Sequence, residues 1–395
     1  MVCLAVLLAA HAAVAAPQAG TFEEFGFAFL RTADPGTNAV AAPRNLGRLL
    51  ALVATGAKGK TQDEMLAALR KTRADVEGLG KAAPACGQKE AWAVAGAVSF
   101  TDAFQKRLDD LEADRIPFSS NREETRRAID EWARARTRGE IRDLVPKGGL
   151  DDRSALVLAA VSEFSSRWQQ EFEVRNTKMS QFQLPSGEKV NIPMMYGRKN
   201  ARVAFLPEVS ILELPFQCEG LAAMVLLPPP ASKPTGADRK EAPAKTPTPG
   251  PVPGLEMLEK MLSRENLSRW KEQLRHDEVR VELPTFEVRH SWNANRALQR
   301  LGIRRAFASG ADFTGMAATP LFVQQAFHQA VVKVGEGGVD AWAGSAVVFG
   351  SRAAVIPPPA PKFEVDRPFI FLIQDVRSGE VLFLARVVDP RSPKA

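Results

Sequence analysis

The sequence predicts an α+β protein on three observations. Amphipathic helical spacing fills the N-terminal third, strand-like runs gather in the second half, and an apolar hairpin closes the chain. With 395 residues, 45% hydrophobic and 25% charged, the chain has globular proportions and room for a large core. Those proportions exclude a disordered chain, collagen and a disulfide-stapled miniprotein. The 52 Lys and Arg against 46 acids leave a net charge of +6, too thinly spread to mark a nucleic-acid binder. Three Cys and four His leave little material for metal or Cys/His chemistry, so neither a metal nor a cofactor is expected.

The chain begins with a short apolar core at residues 3–10 followed by Ala13-Val14-Ala15, a small-residue cleavage pattern. Residues 1–16 therefore read as a signal peptide, too short to span a membrane, which needs about 20 apolar residues. The mature chain would be secreted or extracellular, or periplasmic in a Gram-negative bacterium. It keeps Cys86 and Cys218, which allow one disulfide in an exported protein; nothing in the sequence places them together, so free thiols are the expectation.

Helical spacing follows over residues 22–32 and 44–55, with Leu46, Leu49, Leu50 and Val53 on one face and Gly56 as C-cap. Thr61 with Glu64 forms a capping box for the next helix, which runs toward Leu69. Residues 122–136 are helical and charged, with Ile129 and Trp132 on one face. Strand-like runs occupy 154–161, 279–283, 321–334 and 346–349. The hairpin IFLIQDVRSGEVLFLARVV turns at Ser378-Gly379. Between the halves, residues 228–254 carry nine prolines and almost no large apolar side chain, the composition of an extended surface insertion.

Candidate chemistry is sparse. Ala54 to Thr61 (ATGAKGKT) approaches a phosphate-binding loop, but Ala54 replaces its first glycine and a helix, not a strand, precedes it. A helix end and a basic turn explain it better. No HExxH, GxSxG or paired CxxC occurs, and His276, His290 and His328 adjoin no nucleophile. His328, among apolar residues, reads as a core histidine. Arg70, Lys71, Arg73 and Lys81 could receive a glycosaminoglycan, although a solvated charged face is the plainer reading. The chain does not read as an enzyme.

Residues 335–361 carry the most information. As a strand, Val339, Ala341, Ala343, Ser345, Val347 and Phe349 share a small or apolar face, while Asp340 and Trp342 lie on the other. The glycines and the Pro357–Pro359 run read as loop. Both characters in one segment fit a loop in one state and a strand in another.

Several motifs, in order, resemble the serpin family. FEVDRPFIFLI (Phe363 to Ile373) is similar to its signature, and GAKGKTQDEM (Gly56 to Met65) to the turn into its fourth helix. Ile129 to Pro146, Trp168 with Phe172, Asn176, Thr177, Lys178 and Phe182, Glu213 to Phe216, Leu283-Pro284 and Leu301 to Met316 also fit. The resemblance covers residues 21–390. It implies one serpin domain over 17–395, with three β-sheets, about nine helices and an exposed reactive loop at 336–361.

In such proteins the loop is a bait whose cleavage leaves an acyl-enzyme, after which it inserts into the main sheet. The resemblance assigns the hinge to Glu336, Gly338, Val339, Ala341 and Ala343, and the sheet-opening region to Trp168 and His328. Counting on from Glu336 by the family's usual spacing reaches Arg352-Ala353 as the scissile bond. An arginine there implies a trypsin-like serine protease as partner. Cleavage after Phe349 or Ala353 stays as an alternative, because loop lengths vary. Ala42, Ala160 and Thr285 depart from the family's usual residues near the sheet opening. The expected protein is a monomeric suicide inhibitor without nucleic-acid or membrane partners. The alternative is a non-inhibitory serpin that serves as a binding or chaperone-like protein.

Overall fold

Two hydrogen-bonded ladders organise the chain in a computed structural model that describes residues 21–81, 86–151, 156–230, 253–340 and 360–391. The leader, the run 346–349, most of the Pro-rich insertion and the loop from Ala341 to Ala353 lie outside the described residues. The helices are α1 (Glu23–Leu30), α2 (Pro43–Gly56), α3 (Gly59–Leu69), α4 (Arg73–Glu77), α5 (Asp102–Asp110), α6 (Arg122–Arg136), α7 (Pro253–Met261), α8 (Arg264–Glu272) and α9 (Asn295–Arg300). The early strands are β1 (Ala39–Ala41), β2 (Gln88–Gly96), β3 (Asp114–Ile116), β4 (Leu156–Phe164), β5 (Ser166–Arg167), β6 (Lys178–Gln183), β7 (Lys189–Phe205), β8 (Ser210–Pro215) and β9 (Leu221–Leu227). The later ones are β10 (Arg275–Pro284), β11 (Phe286–Asn293), β12 (Val323–Gly335), β13 (Gly338–Val339), β14 (Lys362–Glu364), β15 (Phe369–Asp375) and β16 (Val381–Val387).

Helices dominate the first half of the chain and strands the second, although β1 to β6 already lie in the first. The α+β class stands, with the first sheet ordered β3-β2-β4-β12 and β11 on the far side of β12. The second runs β1-β16-β15-β9-β8-β7-β10-β14, with β6 beside β7. The resemblance implies three sheets, and the described residues hydrogen-bond as two ladders. The reason is β7, a 17-residue strand that pairs β6 and β10 along most of its length and β8 at its end, joining two layers.

At the centre of the first sheet β4 is buried at every position. Leu156, Leu158 and Ala160 face the core built on α2, while Val157, Ala159 and Val161 face Ile129 and Ala133 of α6 and the segment Ile141 to Val145. Cover on both faces is why its sequence is an unbroken apolar run rather than an alternation. The C-terminal hairpin β15–β16 forms as expected, with Gly379 at φ +75° in the turn.

Two local expectations fail for tertiary reasons. α3 starts at Gly59 behind Lys58, without a side-chain cap, so Thr61 and Glu64 form no capping box. The Thr61 hydroxyl instead accepts the Asp312 N–H at 3.0 Å, and Glu64 accepts the N–H groups of Arg304 and Arg305 at 2.8 and 2.7 Å. Cys86 and Cys218 are not free thiols: they form a disulfide across 132 residues, with Cα atoms 5.7 Å apart. Their meeting depends on the entry to β2 packing beside the β8–β9 turn, which no local pattern announces.

Arg386 on β16 carries a stability prediction. It is 4% exposed, pairs Glu259 at 3.2 Å, and donates to the carbonyls of Thr37 and Asp34 at 2.8 and 2.7 Å. Arg386→Ala leaves a buried carboxylate and two carbonyls unpaired, so urea unfolding should show a loss of roughly 3–5 kcal/mol.

Candidate functional site

β4 and β12 pair in parallel from Leu156 opposite Val323 to Glu163 opposite Val331, and then part. In the gap above, β13 lies antiparallel to both β12 and β5. Val339 pairs with Val334 on one side and Ser166 on the other, and Gly338 with Gly335 and Arg167. The base of the loop therefore occupies the first position of a strand between β4 and β12, while the ladder below is closed.

Sequence and packing both hold this hinge. Val339 is fully buried, and Gly338 adopts φ +149°, where a Cβ would meet the Ser166 carbonyl oxygen at 2.1 Å. Only glycine fits that approach. The Trp168 N–H donates to the Gly337 carbonyl at 3.0 Å and its indole N–H to Gly335 at 2.9 Å. Stacking on Phe216 at 4.9 Å fixes the ring. The Glu336 carbonyl accepts the Phe172 N–H at 2.9 Å, and its carboxylate accepts the Thr177 hydroxyl at 2.7 Å. Thr285, one of the departures near the sheet opening, donates its N–H to the Pro193 carbonyl at 3.1 Å.

The sequence reading missed Lys199. It lies beneath Phe172, with its ammonium 4.1 Å from the ring centre, and donates to the Glu171 carbonyl at 2.6 Å. Burial lowers its pKa to about 8. The available signal was the alternation of β7, which turns Lys199, Ala201 and Val203 to one face.

Charged residues surround the point where the chain leaves the slot. Asp340 donates its N–H to the Lys333 carbonyl at 2.6 Å and lines a narrow crevice with Glu140, Glu163, Phe164, Val331 and Lys333. Lys333 and Arg289 pair Glu140 at 2.6 and 3.2 Å, and Arg138 pairs Glu163. Burial raises the Asp340 carboxyl, partly offset by Lys333.

Lower in the sheet, His328 joins the two strands that meet there. It is opposite Ala160, and its Nδ1–H donates to the Ala160 carbonyl at 3.1 Å. Its Nε2 accepts the Ala42 N–H at the start of α2, 3.0 Å away. Both partners are backbone groups, so alanine at 42 and 160 still leaves the imidazole fully bonded. Asn45 reaches the Ala91 carbonyl of β2 at 3.3 Å. Burial drives the His328 pKa down to about 4, which keeps the ring neutral, and the Ala42 N–H on Nε2 leaves the proton on Nδ1.

The hinge and Trp168 are brought together, whereas His328 acts lower down the ladder. Ala341, Ala343, Arg352 and Ala353 lie outside the described residues. The basic cluster is partly engaged within the fold: Lys71 sits over Phe22 at 5.3 Å, Arg73 pairs Glu77 at 2.7 Å and Lys81 pairs Glu112 at 2.9 Å. The helix α2 ahead of Lys58 likewise removes the phosphate-loop reading. No cluster of three or more metal-ligating side chains occurs among the described residues, nor does a helix long and apolar enough to cross a membrane.

Fold and site define an α+β protein whose loop base already occupies the margin of its main sheet. A family model described as serpin (serine protease inhibitor) matches residues 22–390. The chain is 31% identical over 384 residues to leukocyte elastase inhibitor of Sus scrofa, covering 92% of this chain and 96% of that protein. To Serpin-ZXA of Oryza sativa subsp. japonica it is 29% identical over 380 residues, covering 90% and 91%. Human thyroxine-binding globulin, solved in complex with thyroxine, superposes with a TM-score of 0.79 at 20% identity over 94% of this chain and 98% of that chain. The chain belongs to the serpin family.

Proposed function

We propose that the protein is an exported serpin that inhibits a trypsin-like serine protease by covalent capture, with Arg352-Ala353 as the bait. The carrying observation is Gly338–Val339 already paired between β12 and β5, above a closed β4–β12 ladder. The protease serine attacks the Arg352 carbonyl, the Ala353 amine leaves, and the acyl ester forms. The freed strand then continues the pairing that β13 has begun, displacing β4 from β12 and carrying the enzyme with it. New ladder bonds and the small face of Ala341, Ala343 and Ser345 stabilise the inserted state, so the uncleaved form is kinetically trapped. The protein is consumed in the process and acts without cofactor or turnover, as a monomer.

The Cys86–Cys218 disulfide supports an oxidising compartment and hence export. The arginine supports a target whose primary pocket carries a carboxylate. Mixing the protein with trypsin should give a detergent-stable complex and a released peptide beginning at Ala353 by mass spectrometry. Arg352→Ala should cut the rate of complex formation by roughly a hundredfold or more, since it removes a buried charge-assisted pair. Complete cleavage without complex would instead assign a non-inhibitory binding protein.

A further inference from the structure

We propose that the Cys86–Cys218 disulfide is a reducible control site, and that a dithiol which opens it unseats the hinge. The consequence for inhibition rests on the function proposed above, whereas the coupling between disulfide and hinge does not.

The coupling runs through β5, which has only two residues and pairs directly with Gly338–Val339. Residues next to both half-cystines grip the segment containing it. The Gly87 carbonyl accepts the Ser165 N–H at 2.9 Å, and the Gln217 N–H donates to the Arg167 carbonyl at 2.9 Å. The Gln169 N–H adds a bond to Pro215 at 2.9 Å. Gly87 approaches so closely that a Cβ there would meet the Ser165 carbonyl oxygen at 2.1 Å. One arm comes from the entry to β2 in the first sheet, and the other from the β8–β9 turn in the second. The disulfide is the covalent link between the two arms. Without it, the segments flanking β5 can separate, and a two-residue strand has too little pairing of its own to hold register.

The bond is also open to attack. Cys86 is exposed, and both cysteines line a recess with Ser165, Arg167 and Gln217. One thiolate of a dithiol attacks Cys86 Sγ, the Sγ–Sγ bond breaks, and Cys218 leaves as a thiolate that takes a proton. The second thiol, deprotonated, resolves the mixed disulfide and releases Cys86. The reductant ends as a disulfide and the protein with two thiols, a balanced two-electron exchange.

The test compares native protein with protein reduced by dithiothreitol, alkylated and freed of reductant, and with the Cys86→Ala/Cys218→Ala double variant. Hydrogen exchange is read at the amides of Trp168, Phe172 and Asp340, which bond the hinge or leave it. The expected result is exchange faster by roughly tenfold or more at those three amides in both altered forms, with the β15–β16 hairpin unchanged. Equal exchange in all three forms overturns the proposal, as does acceleration spread evenly over the molecule. Trypsin titration is a separate readout. Reduced protein should be cleaved rather than captured more often than native protein. Faster hinge exchange with no complex from any form would uphold the coupling and overturn the inhibitory function.

Discussion

Val339→Arg should convert the protein from inhibitor to substrate. Val339 is fully buried, between Val334 of β12 and Ser166 of β5, among apolar neighbours that include Val332 and Phe286. An arginine placed there puts its charge into an apolar cluster, and burying that charge costs several kcal/mol. The hinge can avoid that cost by leaving the slot, because β13 is only two residues long and ends a loop. The uncleaved variant should therefore melt within a few degrees of wild type, as expected where a local opening replaces a core defect. After cleavage the difference becomes large. The variant strand cannot begin insertion, so the acyl ester hydrolyses, no detergent-stable band forms, and the cleaved protein gains little thermal stability. Val339→Ala, which stays apolar and small, should still form complex. Wild-type complex yield from the arginine variant would sink the insertion mechanism.

The second large effect is acid destabilisation through His328. Its pKa of about 4 in the fold lies below the ordinary histidine value of 6.5, so the folded state favours the neutral ring. Its contribution is fully present above pH 6.5 and is lost as pH falls toward 4, amounting to roughly 3 kcal/mol at the lower limit. Protonation removes the lone pair that accepts the Ala42 N–H and places an imidazolium against buried backbone. His290, also lowered by burial, acts with the same sign. Glu380 opposes both. Burial raises its carboxyl to about 7, so the fold favours the protonated acid and gains stability as pH falls through that range. The clean measurement is consequently a difference: urea unfolding of wild type and His328→Gln between pH 7 and 4. The gap between the curves should change by 2–3 kcal/mol over that interval, an estimate of roughly the linkage value. Parallel curves would show that His328 does not titrate with folding. Hydrogen exchange of β4 and β12 amides should accelerate over the same interval, because the ring joins those two strands.

Much of this architecture follows from local sequence. The spacing of Leu46, Leu49, Leu50 and Val53 defines α2, and Ile129 with Trp132 marks the packed face of α6. The apolar run of β4 and the Ser378-Gly379 turn are equally local. At the site, the small face containing Val339 and the apolar setting of His328 could be read directly. β7 could not, because Pro193, Tyr196-Gly197 and a Lys/Arg stretch interrupt its alternation, and two layers of partners sustain it. The local alternation of Lys199, Ala201 and Val203 could place Lys199 on the inner face, but a lysine buried there makes sense only with the Phe172 ring and the Glu171 carbonyl in place.

By itself the sequence determined the α+β class, the principal helices, the closing hairpin and a loop segment equally suited to solvent and to a strand. These rest on side-chain period and turn chemistry, which act over a few residues. Tertiary structure alone decided that Cys86 meets Cys218, that Thr61 and Glu64 serve another segment rather than their own helix, and that Gly338–Val339 enters the slot while β4 and β12 stay closed below. Each of these depends on groups more than a hundred residues apart in the chain. Such contacts form only once packing has offset the entropy of bringing them together, and no local pattern encodes them.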